Sequence, residues 1–216
     1  MWDKATGVYS DVQYFHPSQV SKIIESYLEP AGGGGFLYTL SKREKGNDLM
    51  EIYHVGEIND VESNFMKERI HNPYKKFIVP ESGRSEIPDK ISNAVLFFGM
   101  RPNGVAEKII RNLEGIGGIN PMHYHDWYGD EITEVEAFPD GATKAKAIKR
   151  LKEKTGARKV VVFGDNMNDL SMMKAADWSV AVANAVPAVK EAADEVIGSN
   201  CADSVPRYIL ASLNNS

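Results

Sequence analysis

The last third of the chain alternates short apolar runs with amphipathic segments. Residues 159–163 are largely β-branched and apolar on both faces, which predicts a buried parallel strand. Shorter runs predict strands at 178–182 and 195–197. Amphipathic spacing predicts helices at 143–154, 168–176, 187–193 and 205–213. Strands and helices that alternate through short loops are typical of a parallel α/β sheet.

The first 120 or so residues follow a different pattern. Apolar spacing predicts helices at 20–28, 61–70 and 106–113, and strands at 36–40, 49–55, 77–79 and 94–100. The polar segment 42–48 lies between two of these strands and predicts an antiparallel hairpin. This mixed pattern indicates an α+β domain. We therefore predict two domains, an α+β domain at 1–128 and an α/β domain at 129–216.

Composition narrows the class of protein. The 216 residues are 43% hydrophobic and 25% charged, as in ordinary globular proteins. The net charge of −5 gives no electrostatic reason to expect binding to nucleic acid or to an anionic membrane. No apolar run is long enough to span a bilayer, and the single cysteine, Cys201, suits a reducing cytoplasm. We expect a cytoplasmic protein that binds neither nucleic acid nor membrane.

Polar side chains follow three successive predicted strands. Lys144 follows a strand predicted at 132–138. Asp165, Asn168 and Asp169 follow the strand at 159–163, and Asn184 follows the strand at 178–182. If these strands are parallel neighbours, the five side chains meet at one edge of the sheet, where open α/β folds bind ligands. Carboxylates suit Mg²⁺, while an ammonium and amides suit phosphoryl oxygens. The pattern predicts a Mg²⁺-assisted site for a phosphate ester.

Three segments in this region resemble the motifs of one family. Residues 164–173, GDNMNDLSMM, resemble the fourth motif of haloacid dehalogenase-like phosphatases. Residues 138–144, FPDGATK, are similar to the third motif of the Cof-type branch, and residues 180–185, VAVANA, to the segment after the fourth motif. The match is close over 130–213. It implies a Rossmann-like parallel core, and the earlier residues fit the α+β cap that this branch inserts.

The resemblance implies a role for each candidate residue. Lys144 and Asp169 would be catalytic, and Asp165 and Asp169 would bind Mg²⁺. Lys144 and Asn168 would contact the substrate phosphate, with Asn184 in a supporting position. The substrate would be a small phosphorylated metabolite such as a sugar phosphate, hydrolysed through an aspartyl-phosphate.

One expected motif is missing. The family's nucleophile is the first Asp of an Asp-x-Asp motif on the central strand, and no two of the thirteen aspartates stand two positions apart. We therefore expect the parallel core to be incomplete, the chain alone to be inactive and the strand at 159–163 to have an exposed edge. A separately encoded fragment, a segment swapped from another copy, or a cleaved piece of the same precursor could cover that edge. The alternative is a non-catalytic member that binds phosphate ligands or a partner chain.

Overall fold

The computed structural model describes residues 2–3, 7–41, 48–78, 91–124 and 131–214. The chain divides into two compact units, Met1–Gly141 and Ala142–Ser216. The strands of the first unit are β1 (Trp2–Asp3), β2 (Val8–Tyr9), β3 (Gly34–Ser41), β4 (Leu49–Gly56), β5 (Lys75–Ile78), β6 (Ala94–Pro102), β7 (Ile119–Tyr124) and β8 (Ile132–Pro139). Its helices are α1 (Pro17–Leu28), α2 (Asp60–Arg69) and α3 (Asn103–Glu114).

A six-stranded sheet forms the centre of the first unit. Its strand order is β5-β4-β3-β6-β8-β7, and every neighbouring pair is antiparallel except β4 and β5. The predicted hairpin of β3 and β4 is confirmed, although 42–47 of its turn lie outside the described residues. Helices α1 and α3 cover one face, where Ile23 and Ile109 are buried with Leu37 and Phe97.

Helix α2 lies on the opposite face and is held there by a buried charged group. The side chain of Glu62 is fully buried, and its Oε2 accepts a hydrogen bond of 2.6 Å from Nη2 of Arg101. Nε2 of His54 lies 2.9 Å from the same oxygen, and the backbone N–H of Met100 donates to Oε1 over 3.2 Å. Because a buried carboxylate is stable only when it is paired, this network fixes the position of α2 on the sheet.

The second unit contains a small parallel sheet. Its strands are β9 (Val161–Gly164), β10 (Trp178–Val182) and β11 (Glu195–Ile197), in the order β11-β10-β9. Its helices are α4 (Lys144–Thr155), α5 (Leu170–Ala175), α6 (Pro187–Ala192) and α7 (Ser204–Asn214). The predicted α/β class of this region is confirmed. No helix in the described residues is long and apolar enough to cross a membrane.

Strand β8 corrects two expectations from the sequence. It pairs antiparallel with β6 and β7 in the first unit, so it is not a neighbour of β9 in the parallel sheet. For the same reason the division after Gly141 corrects the predicted boundary between residues 128 and 129, since β8 belongs with the strands before it. Residues 125–130, between β7 and β8, lie outside the described part of the chain.

The substitution Glu62→Gln should destabilise the first unit. Removing the carboxylate charge leaves the guanidinium of Arg101 buried without a counter-ion, and breaking a buried pair costs roughly 3 kcal/mol or more. The matched control is Glu68→Gln, whose exposed pairing with Arg69 is worth about 1 kcal/mol at most. Urea unfolding followed by circular dichroism measures both changes. Equal stabilities for the two variants would contradict the role given to Glu62.

Candidate active site

The turn after β9 holds a carboxylate in a buried position. Gly164 ends the strand, and a Cβ atom there would lie 2.9 Å from the Cβ of Asp169, so only glycine permits this approach. The backbone N–H groups of Asp165 and Asn166 donate to Oδ2 of Asp169 over 3.0 and 3.4 Å. The side chain of Asn166 also caps the turn, because its Oδ1 accepts a hydrogen bond of 2.7 Å from the N–H of Met167. The turn thus fixes the carboxylate of Asp169.

Lys144 reaches this turn from the first residue of α4. Thr143 caps the helix by accepting a hydrogen bond from the N–H of Lys146, as its sequence position predicts. Nζ of Lys144 donates to Oδ1 of Asp169 over 2.6 Å and to Oδ1 of Asn168 over 3.4 Å. Three of the predicted site residues therefore lie in direct contact.

The carboxyl group of Asp169 is held in its ionised form. Burial opposes ionisation, but the hydrogen bonds from Lys144 and from the backbone N–H groups outweigh it and lower the pKa of Asp169 below its ordinary value. The side chain of Asp169 is 8% exposed, whereas that of Lys144 is 49% exposed. One partner of the pair is thus fixed inside the turn, and the other remains open to a ligand.

Asp165 differs from Asp169 in its surroundings. It is exposed, and its carboxylate forms no hydrogen bond with any residue in the described ranges. Its backbone carbonyl accepts a hydrogen bond of 2.9 Å from the N–H of Val186, which joins the turn after β9 to the start of α6. The side chain of Asp165 is consequently free to bind a cation.

The side chain of Asn184 is held by residues further along the second unit. Its Oδ1 accepts hydrogen bonds of 3.0 Å from Oγ of Ser199 and from the N–H of Asn200. Within the described part of the chain it forms no hydrogen bond with Lys144, Asp165, Asn168 or Asp169. The contacts show a residue that ties two loops of the second unit together.

Two residues of this site were not assigned roles from the sequence. Asn166 caps the turn and supplies a backbone donor to Asp169, and Gly164 permits the close approach of that side chain. The sequence did carry a signal for these roles, because Gly favours tight turns and Asn favours helix caps. Their roles depend on contacts within the turn that spacing alone does not specify.

The carboxylates of this turn suit a metal ion that needs few protein ligands. Across the described ranges no three His, Cys, Asp or Glu side chains are grouped so that they could hold a metal ion by themselves. Mg²⁺ often uses only one or two carboxylates and keeps several waters. The open carboxylate of Asp165, with Asp169 beside it in the same turn, fits that mode of binding.

Two curated proteins match the chain over part of its length. The pyridoxal phosphate phosphatase YbhA of Escherichia coli (strain K12) is 42% identical over 82 residues, which cover 37% of this chain and 30% of that protein. Phosphoglycolate phosphatase 2 of Saccharolobus solfataricus is 37% identical over 90 residues, which cover 34% of this chain and 39% of that protein. The matches thus span about a third of the length of these curated relatives.

A solved structure and a family model extend the comparison to most of the chain. The fold resembles that of BT4131, described as a sugar phosphatase of haloacid dehalogenase subclass IIB, with a TM-score of 0.61 and 17% identity over 92% of this chain and 67% of that one. The model of the haloacid dehalogenase-like hydrolases matches residues 12–209. These matches confirm the resemblance read from the three motifs. The chain therefore belongs to the haloacid dehalogenase-like hydrolases.

Proposed function

We propose that this chain forms part of a Mg²⁺-dependent phosphohydrolase that acts on small phosphorylated metabolites. The observation that carries the proposal is the ammonium of Lys144, 2.6 Å from the ionised carboxylate of Asp169 in the same turn as the open carboxylate of Asp165. The two curated relatives are phosphatases named for small phosphorylated compounds. A cytoplasmic location is part of the proposal and rests on the single cysteine, Cys201.

Lys144 and Asn168 would bind the phosphoryl group. The ammonium of Lys144 is half exposed, so it can neutralise a phosphoryl oxygen while Asp169 keeps it in position. Oδ1 of Asn168 faces Lys144, which leaves its Nδ2 to donate a hydrogen bond to a second phosphoryl oxygen. Because charge on these oxygens changes during phosphoryl transfer, donors fixed in advance stabilise the transition state.

Asp165, with Asp169 beside it, would hold Mg²⁺. The bound ion would supply positive charge against the phosphoryl oxygens and the attacking group. Asp169 already gives both of its oxygens to protein donors, so Asp165 offers the more available ligand. The supporting position proposed for Asn184 is indirect, through the loops that it joins.

The nucleophile must come from outside these 216 residues, because they contain no Asp-x-Asp pair. In the complete site the first Asp of that motif would attack phosphorus, which gives an aspartyl-phosphate, and the ester oxygen would leave as an alcohol after taking a proton from the motif's second Asp. Water would then attack the phosphorus of that intermediate. Phosphate would leave, and the carboxylate would be restored.

The free edge of β9 is the place where we expect that aspartate to enter. Among the described residues β9 pairs only with β10, so its other edge presents unpaired backbone groups. A groove of about 180 Å³ runs between this edge and α7, and it is lined mainly by Val161, Phe163, Ile209 and Leu213. A parallel strand that ends in Asp-x-Asp would cover these apolar groups and deliver its carboxylate to the end of the sheet that carries Asp165.

The purified 216-residue chain should show no Mg²⁺-dependent hydrolysis of p-nitrophenyl phosphate. Joining a strand-forming segment that ends in Asp-x-Asp to its N-terminus should restore turnover, because that segment supplies the nucleophile. The release of p-nitrophenol measures both proteins.

The control for this experiment is the same added segment with its first Asp replaced by Asn. This control should pair with β9 equally well yet remain inactive. Sustained turnover by the unextended chain, or equal turnover by the Asp and Asn segments, would refute the assignment of the nucleophile.

Asp165→Asn should weaken Mg²⁺ binding. The wild-type chain should bind the ion only in the millimolar range, because two carboxylates leave Mg²⁺ with most of its waters. Isothermal titration calorimetry of the two proteins measures the difference. The matched control is Glu153→Gln, which removes an exposed carboxylate on α4 and should leave the affinity unchanged. A loss of equal size in both variants would show general charge attraction and no metal site.

Lys144→Met, placed in the extended and active protein, should lower kcat by about 100-fold or more, the usual effect of removing one preorganised donor. Lys146→Met provides the control, since Lys146 is an exposed residue of the same helix. Steady-state kinetics measure both variants. Unchanged kcat in Lys144→Met would remove Lys144 from the reaction.

A further inference from the structure

Asn184 lies in a tight turn between β10 and α6. The backbone N–H of Ala185 donates to the carbonyl of Val182 over 2.9 Å, which closes a β-turn with Asn184 as its third residue. Ala185 is buried in the core of the second unit, whereas Asn184 is exposed. Packing therefore holds one side of the turn, and the contacts of Asn184 hold the other.

The side chain of Asn184 links this turn to the loop after β11. Its Oδ1 accepts two hydrogen bonds of 3.0 Å, from Oγ of Ser199 and from the backbone N–H of Asn200. The backbone contact beside them is longer, since the nitrogen of Ala183 and the carbonyl oxygen of Gly198 are 3.4 Å apart. Because hydrogen bonds weaken as they lengthen, the two bonds to Asn184 hold the turn more firmly than this backbone contact does.

The residue that follows the turn contacts the proposed metal ligand. Val186 precedes Pro187, the first residue of α6, and a proline keeps the residue before it extended. The N–H of Val186 lies outside the helix and donates to the backbone carbonyl of Asp165 over 2.9 Å. Val186 is only two residues from Asn184, so a turn that is fixed at Asn184 also fixes this donor.

The carboxylate of Asp165 depends on the backbone for its direction. It is exposed and forms no hydrogen bond with the residues that the structure describes, so no side-chain contact orients it. The N–H of Asp165 donates to Oδ2 of Asp169 over 3.0 Å, and its carbonyl accepts from Val186. These two bonds hold the peptide groups on either side of the Asp165 Cα atom. Loss of either bond would widen the range of directions open to the carboxylate.

We propose that Asn184 is a positioning residue for Asp165. Its side chain holds the turn, and the turn holds the N–H of Val186. That N–H fixes the backbone of Asp165 and so restricts the directions that its carboxylate can take when it binds Mg²⁺. The inference rests on the proposed function, because it requires Asp165 to be a metal ligand. Groups that orient a metal ligand raise affinity without touching the ion.

Asn184→Ala should weaken Mg²⁺ binding by roughly threefold to tenfold, the effect of one ordinary hydrogen bond. NMR titration of the full chain with MgCl₂ at constant ionic strength measures the affinity through the amide signals of Asp165 and Asn166. The matched control is Asn214→Ala, which removes an exposed amide of α7 in the same unit. This control should leave the affinity unchanged.

Hydrogen exchange at Val186 follows the link itself and needs no metal. The amide of Val186 should exchange several-fold faster in Asn184→Ala than in the wild type, because local opening of the turn becomes easier. Asn184→Asp keeps an acceptor for Ser199 and Asn200, so it should restore slow exchange and bind Mg²⁺ no more weakly than the wild type. A change in general stability alone would not be reversed by this conservative variant.

The two readouts separate failure of this inference from failure of the phosphohydrolase. Unchanged exchange at Val186, equal Mg²⁺ affinities for wild type and Asn184→Ala, or equal losses in Asn184→Ala and Asn184→Asp would overturn the positioning role alone. A wild-type Asp165 signal that does not shift at about 100 mM MgCl₂ would overturn the metal site as well. If Asn184→Ala fails to fold, Ser199→Ala removes one of the two donors and should show a smaller change of the same sign in both readouts.

Discussion

The contact between the ammonium of Lys144 and the carboxylate of Asp169 is the constraint on which the active site depends. Asp169 is buried beside Gly164, where an unpaired carboxylate would be costly, and three donors offset that cost. One of these donors comes from the start of α4, so the same contact fixes where the helix begins relative to the turn after β9. The partnership therefore positions Lys144 without the help of a ligand.

The free edge of β9 is the second feature on which the proposed site depends. Parallel strands are usually covered on both sides by pairing and on both faces by helices, yet β9 has a single neighbouring strand in the described part of the chain. The apolar groove between this edge and α7 has the chemistry of a sheet interior. In the proposed phosphohydrolase a single added strand would both cover this edge and supply the nucleophile.

The sequence was most informative where the relevant contacts are local. The apolar run of β9 and the helix α4 depend on neighbours in the chain, and both were predicted close to their observed bounds. Thr143 caps α4, and the left-handed Gly156 ends it. Strand β8 was assigned to the parallel sheet because its alternation suits either sheet, and pairing is a long-range property that periodicity does not report.

The interior charges of the first unit were equally inaccessible to sequence reading. Glu62 and Arg101 are charged residues in amphipathic segments, and the default interpretation places such side chains in water. Their burial follows from mutual pairing across distant elements, with His54 as a third member. Asn184 illustrates the same limit, because the sequence did not indicate its hydrogen-bond partners Ser199 and Asn200, which lie fifteen and sixteen residues further along the chain.

Charge balance favours a cation at the proposed active site. Asp165 and Asp169 carry two formal negative charges against the single positive charge of Lys144, and the site would repel a phosphate ester in that state. Adding the proposed nucleophilic aspartate increases the repulsion. A divalent cation reverses it, and the exposed carboxylate of Asp165 is where that charge can bind without displacing Lys144 from Asp169. In the proposed phosphohydrolase the two aspartates would therefore have separate tasks: Asp169 would retain the lysine, and Asp165 would attract the ion.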